Sequence, residues 1–255
     1  LRQTLPFAPL RAVRLSGPSP VLDGVMQPNE WQGARHVQIP LAFLTDQPRQ
    51  GTLDVWLAAT PGAGNQLWAA AQVRGIAPVA GDALQLWFSG GDVKSLGVGS
   101  GWRDWRWNGS TLVLDGQQDG QGVASVQGGV ITYELRMPLV SGDSNDVALS
   151  TVQDSGFAVA YGQPFVDGLG TPRRAVGAWP ADFFDGRLAR LGRLAVAAAI
   201  TGDLNGDGVS DVVDVQLVAA RWLSDSRTPG YSAVFDLNAD GMIDLLDVQL
   251  AADTW

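Results

Sequence analysis

Two stretches of the chain are near copies of each other: DLNGDGVSDVVDVQLVAARW begins at Asp203 and DLNADGMIDLLDVQLAADTW at Asp236. A repeat of this kind implies two copies of one supersecondary unit that pack together, because one copy alone cannot bury its apolar face. In each copy a carboxylate or amide stands at places 1, 3, 5, 9 and 12, with glycine at place 6. Residues 199–255 hold ten Asp, no Glu and two Arg, a net −8 of the −9 carried by all 255 residues. The acidity is therefore local, and it speaks of a cation more than of a generally acidic surface. Without one, carboxylates about 4 Å apart repel by roughly 4 kcal/mol per pair at an effective dielectric of about 20.

The spacing is that of a calcium-binding EF-hand loop, whose glycine permits the sharp turn and whose seventh ligand is a backbone carbonyl. The expected ligands are Asp203, Asn205, Asp207, Asp211 and Asp214 with the carbonyl of Val209, then Asp236, Asn238, Asp240, Asp244 and Asp247 with the carbonyl of Met242. Two Ca2+ ions are expected. Place 12 is Asp where an EF-hand has Glu, so the following helix must sit closer to the metal. No helix is expected before either loop, because residues 195–202 are too few and 227–235 contain Pro229 and Gly230. Each unit reads as a loop followed by a helix, over residues 212–223 and 245–255.

Residues 202–255 resemble a type I dockerin, the calcium-binding module that plugs enzymes and binding modules onto cohesin domains. The resemblance implies two calcium sites, a pseudo-twofold helix pair and an extracellular home. In that family loop places 10 and 11 and helical places 17 and 18 contact cohesin. Here these are Val212, Val213, Ala219 and Ala220, with Leu245, Leu246, Ala252 and Asp253 in the second copy. So apolar a surface leaves two partners open: a cohesin, or the preceding domain of the same chain. Ser210 stands at place 8, where a β-branched apolar residue ordinarily helps the two loops pair.

From Val21 to about residue 198, short apolar stretches alternate with Gly, Pro, Asn and Asp turns, an all-β pattern that reads as a sandwich. The expected fold is thus an all-β sandwich, immunoglobulin-like or jelly-roll-like, over residues 1–198, followed by a small all-α dockerin with two EF-hand-like loops over 199–255. Strand alternation puts Leu53, Val55, Leu57, Leu67, Val73, Leu84, Leu86, Phe88, Ile131, Tyr133, Leu135 and Met137 on core faces. The opposite parity carries Trp56, Trp68 and Trp87 among polar neighbours, either as a second buried layer or as a platform on which pyranose rings stack. GWRDWRWNGSTLVL adds Trp102, Trp105 and Trp107 beside an Asn108-Gly109 turn, expected to pair Trp107 with Ser110 and Trp105 with Leu112.

DGVMQPNEW, QLWAAAQV, DALQLWF, ITYELRMPL and SGFAVAYG follow in the order seen in family 9 carbohydrate-binding modules and related DOMON-type sandwiches. This resemblance, over about residues 18–198, implies sugar held between tryptophans, with Trp102, Trp105, Trp107 and Trp179 as candidates. Haem, bound by some DOMON relatives, would have only His36, Met26 and Met137. No catalytic residue is assigned. His36 lies near no GxSxG elbow, and the only glutamates are Glu30, expected in a turn, and Glu134, expected in a sheet-surface pair. No basic stripe suggests nucleic acid and no apolar run spans a bilayer. Zero cysteines exclude disulfides and thiolate metal sites. The chain opens without Met or an apolar leader, so any secretion signal is expected to have been removed or to lie outside this sequence. The reading is a secreted, non-catalytic, polysaccharide-associated protein; the alternatives are an extracellular adaptor braced by its dockerin and a weakly active glycoside hydrolase accessory.

Overall fold

The computed structural model describes residues 10–15, 19–27, 29–42, 50–60, 65–166, 172–181, 183, 188–197, 202–205 and 210–253. Thirteen strands among them form the sandwich: β1 Leu10–Arg14, β2 Arg35–Ala42, β3 Gln50–Thr60, β4 Gln66–Arg74, β5 Ala83–Phe88, β6 Asp92–Gly97, β7 Gly101–Trp107, β8 Leu112–Leu114, β9 Gln121–Gln127, β10 Val130–Pro138, β11 Ser155–Val166, β12 Pro172–Trp179 and β13 Gly192–Val196. One layer runs β8-β7-β6-β5-β11-β12 and the other β2-β3-β4-β10-β9. They meet where Val176 pairs with Ala42, and β1 closes the side by lying parallel to both β3 and β13.

The core lies between the layers and contains every residue that alternation placed there, from Leu53 to Met137. The alternation is enforced by the pleat: a one-residue slip would turn each of these side chains to the other face. Trp68 and Trp87, on the opposite parity, are 3% and 5% exposed. Each belongs to a second buried layer, because a distant segment covers the outside of each sheet. Over β3 and β4, Leu15, Leu22, Met26 and Trp31 pack on Trp68. Glu134 fixes that segment by accepting from the backbone N–H of Gly24 at 2.7 Å and of Asp23 at 3.3 Å. It is fully buried, not in a sheet-surface pair. On the other sheet Phe183 meets Trp87 at 5.3 Å between ring centres, with Leu188 and Leu191 beside it.

Two eight-residue helices follow, α1 Val212–Ala219 and α2 Leu245–Ala252. Both start with a reciprocal cap. Asp211 accepts from the Val213 N–H while Asp214 accepts from the Asp211 N–H, each at 2.8 Å, and Asp244 and Asp247 repeat this with Leu246 and Asp244. Both helices are shorter than expected. After Ala219 the bonds tighten to three-residue turns (Arg221 N–H to Val218, Trp222 N–H to Ala219) and Leu223 takes a left-handed backbone, φ +59°, which ends the run. The two remaining strands, β14 Ser224–Asp225 and β15 Met242–Ile243, pair antiparallel. The asymmetry at place 8 is visible in burial: Ile243 is fully buried and Ser210 is half-buried.

Candidate functional site

The second calcium loop is described throughout. Asp236, only 2% exposed, accepts at Oδ2 from the Gly241 N–H at 2.9 Å and at Oδ1 from the Asp240 N–H at 3.2 Å. Gly241 has φ +90°, the left-handed turn that place 6 requires. Asn238 and Asp240 are exposed and joined by a 2.9 Å side-chain bond. Fully buried Asp247 ties the two ends of the loop together, its Oδ1 accepting from the N–H groups of Leu237 at 2.6 Å and Asn238 at 3.2 Å. The carbonyls of Ile243 in β15 and of Gly241 just before it accept from Leu223 and Ser226, so backbone alternation turns the Met242 carbonyl away from β14.

In the first loop buried Asp214 repeats this arrangement, accepting from Leu204 at 2.7 Å and Asn205 at 3.0 Å. Asp203 is 4% exposed. Asp207 and Val209 lie outside the described residues.

This donor set fits a hard divalent cation. Every side chain offers oxygen, and a carboxylate oxygen that accepts one N–H keeps a further lone pair for an ion. The Asp236 carboxyl is pushed above the usual range by burial; bonds from Tyr231 and Gly241 oppose this, and the charges of Asp247 and Asp240 add to it.

The module sits against the sandwich through the segment between its two repeats. Arg193 of β13 donates to the Tyr231 carbonyl at 2.9 Å, and Asp154 accepts from Ser232 Oγ at 3.1 Å and the Ala233 N–H at 3.0 Å. Ala195 of β13 is buried in the module's own apolar cluster with Leu204, Val218, Tyr231, Phe235 and Ile243. None of the eight partner candidates takes part in these contacts. Val212, Val213, Leu245 and Leu246 are 45%, 43%, 56% and 53% exposed, and Ala219, Ala220, Ala252 and Asp253 are exposed too. Of the two partners left open for these residues, the chain's own sandwich is not what they meet: the module packs there with a different face. Trp222 and Leu223, 47% and 72% exposed, extend the apolar surface. Trp222 was not singled out in the sequence because a Trp after an amphipathic run reads as core.

The sugar candidates scatter. Trp179 ends β12 on a core parity and packs on Phe157 at 6.2 Å, so it is a core residue and not an open stacking platform. Trp102 packs on the core edge, where a side chain at Gly120 would collide with its ring. Trp105 and Trp107 are half-buried over Trp87. Their hairpin is two residues out of the expected register, pairing Trp107 with Leu112 and Trp105 with Leu114. The cause is a four-residue loop in which Asn108 Oδ1 accepts from Ser110 and Thr111.

Trp56 differs, being half-buried on the outer face of β3 with His36 stacked on it at 4.6 Å. Beside this pair runs a cross-strand row, Gln38–Asp54–Gln72–Thr132, in direct register over β2, β3, β4 and β10. Asp54 accepts from Gln38 at 3.0 Å and Arg74 at 2.9 Å, and lies 3.0 Å from His36 Nε2. Arg74 also bonds Gln72. His36 thus lies outside the sheet while Met137 lies in the core, on opposite faces, so these two do not converge on one haem.

Residues 201–251 match the family model of the dockerin type I domain. The expected C-terminal module is therefore a dockerin, and dockerins of this type bind calcium. The sandwich is similar to two solved structures of a family 9 carbohydrate-binding module from Caldicellulosiruptor kristjanssonii. The one in complex with cellotriose is 14% identical, covers 74% of this chain and 93% of its own, and has a TM-score of 0.47. The one in complex with glucose is 12% identical, covers 73% and 94%, and scores 0.48. No curated protein matches the chain. Among the described residues no helix is long and apolar enough to cross a membrane.

Proposed function

We propose that this chain is a secreted, non-catalytic component of a polysaccharide-binding or polysaccharide-degrading assembly, with a sandwich over residues 1–198 and a dockerin over 199–255. The dockerin loads two calcium ions and docks onto a cohesin through Val212, Val213, Leu245 and Leu246. The observation that carries this reading is that these four side chains are exposed at both helix starts while other residues of the module meet the sandwich. An apolar patch left open by the chain's own packing is what a protein interface uses.

For the sandwich, the surface that best suits a sugar is Trp56 with Gln38, Asp54, Gln72 and Arg74. It sets an aromatic side chain beside convergent donors and acceptors. The non-catalytic part is supported by the two glutamates: Glu134 holds backbone N–H groups from the buried side, and Glu30 accepts from Gln27 at 3.0 Å within its own turn.

Cohesin binding is measured by calorimetry with calcium and with a chelator. Leu245→Asp with Val212→Asp is expected to abolish it while calcium uptake persists; binding unaffected by the double substitution sinks the assigned face. A glycan array compares the wild type with Trp56→Ala and Trp105→Ala. Loss confined to Trp56→Ala supports the outer-face site, and a wild type that binds no glycan removes it.

A further inference from the structure

Asp236, at place 1 of the second loop, is gripped from outside the loop at two points. Tyr231 donates its phenolic O–H to Asp236 Oδ2 at 2.6 Å, a bond between two buried side chains. Arg11, on the first strand of the sandwich and 225 residues away, donates to the Asp236 carbonyl at 3.0 Å. Tyr231 is itself fixed through its carbonyl by Arg193 of the sandwich, and the next two residues are fixed by Asp154. A continuous chain of contacts therefore runs from β1 and β13 to the first ligand of the loop. In the first repeat, Ala198 stands five residues before Asp203, where the second repeat has Tyr231 before Asp236.

We propose that Arg11 and Tyr231 are positioning residues for the second calcium loop, so that filling this loop and seating the dockerin on its sandwich are one coupled event. The proposal rests on the calcium reading of the loop. Tyr231 and the Gly241 N–H together take both lone pairs of Oδ2 and fix the Asp236 rotamer, leaving the second lone pair of Oδ1 for the ion. Such outer contacts orient a ligand before the metal arrives, and losing one typically costs about 10- to 100-fold in affinity. Arg11 can act on the ion only through the seated module. By reciprocity, whatever the seating adds to calcium affinity, calcium adds to the seating.

The test titrates calcium into the full chain carrying Asp203→Ala, which isolates the second loop, with and without Arg11→Gln or Tyr231→Phe. About a tenfold loss of affinity is expected for Tyr231→Phe and a several-fold loss for Arg11→Gln, with partial rescue by Arg11→Lys. Arg11→Gln leaves the dockerin sequence intact, so a change in calcium affinity must come across the interface. It is also measured in the otherwise wild-type chain, where one of two sites is expected to weaken and the other to hold. Small-angle scattering supplies the reciprocal readout: calcium is expected to compact the wild type, and Arg11→Gln less so. Unaltered affinity in both variants overturns the coupling and leaves the calcium sites standing. A wild-type chain that takes up no calcium overturns the calcium reading itself.

Discussion

Two places in this protein gather carboxylates, and they neutralise them differently. In the sandwich, Lys94 of β6 is fully buried with Nζ 2.5 Å from Asp104, 2.6 Å from Asp146 and 3.0 Å from Asp92. These three Asp form the one acidic group among the described residues whose oxygens converge as tightly as a metal's ligands would. Its cation is an ammonium from the chain itself. Burial alone would lower the Lys94 value, but the three carboxylates outweigh it and hold the ammonium above its ordinary range. In the dockerin the loop carboxylates instead hold backbone N–H groups, and the countercharge proposed for them is a diffusible ion. A covalently attached cation makes stability insensitive to calcium; a diffusible one makes folding conditional on it.

The largest effect that would break this contrast is expected at Lys94. Lys94→Met strands three carboxylates, two of them fully buried, and removal of one partner of a buried charge cluster costs about 3–5 kcal/mol. In urea the sandwich transition should collapse toward zero denaturant, whereas Asp203→Ala should leave it in place. A Lys94→Met sandwich as stable as wild type would mean that the cluster is already neutral without its lysine.

Next comes calcium removal. An ion at about 1,000 times its dissociation constant stabilises the bound fold by about 4 kcal/mol. A chelator should therefore erase the helical circular-dichroism signal of α1 and α2 while the sandwich melts nearly as before. If both parts melt together at a lowered temperature, the sandwich leans on the ion as well.

The smallest effect concerns pH. Burial, partly offset by Lys94, pushes Asp104 up to about 7, and burial likewise pushes Asp92 up to about 6. Their ordinary value is 3.8, so from there to about 7 the folded state binds more protons than the unfolded one, and the cluster's contribution to stability falls as pH rises. Asp104→Asn should flatten the decline between about pH 4 and 8 in a urea midpoint series. A slope unchanged from wild type would put the titration elsewhere.

What was readable in advance follows from how local each feature is. The loop pattern was legible because twelve consecutive residues set its spacing, and Asp214 and Asp247 could be paired with their loop starts from that spacing alone. Strand parity named the core because the pleat alternates regardless of neighbours. The tryptophans were not assignable. Trp68 and Trp87 have the parity of a solvent face, and only the arrival of Trp31 and Phe183 from distant segments buries them. Lys94 gave no signal, since Asp146 lies 52 residues away and reaches it across a loop.

The sequence by itself determined the dockerin, its two oxygen-lined loops and the all-β character of the rest, since spacing and alternation are properties of the chain. Only the tertiary structure decided which face of the dockerin meets the sandwich. Val212, Val213, Leu245 and Leu246 are as apolar as any seam, yet they stay exposed. The seam formed where Arg11, Asp154 and Arg193 meet the backbone groups of 231–236, because those groups need partners once buried and an exposed valine does not.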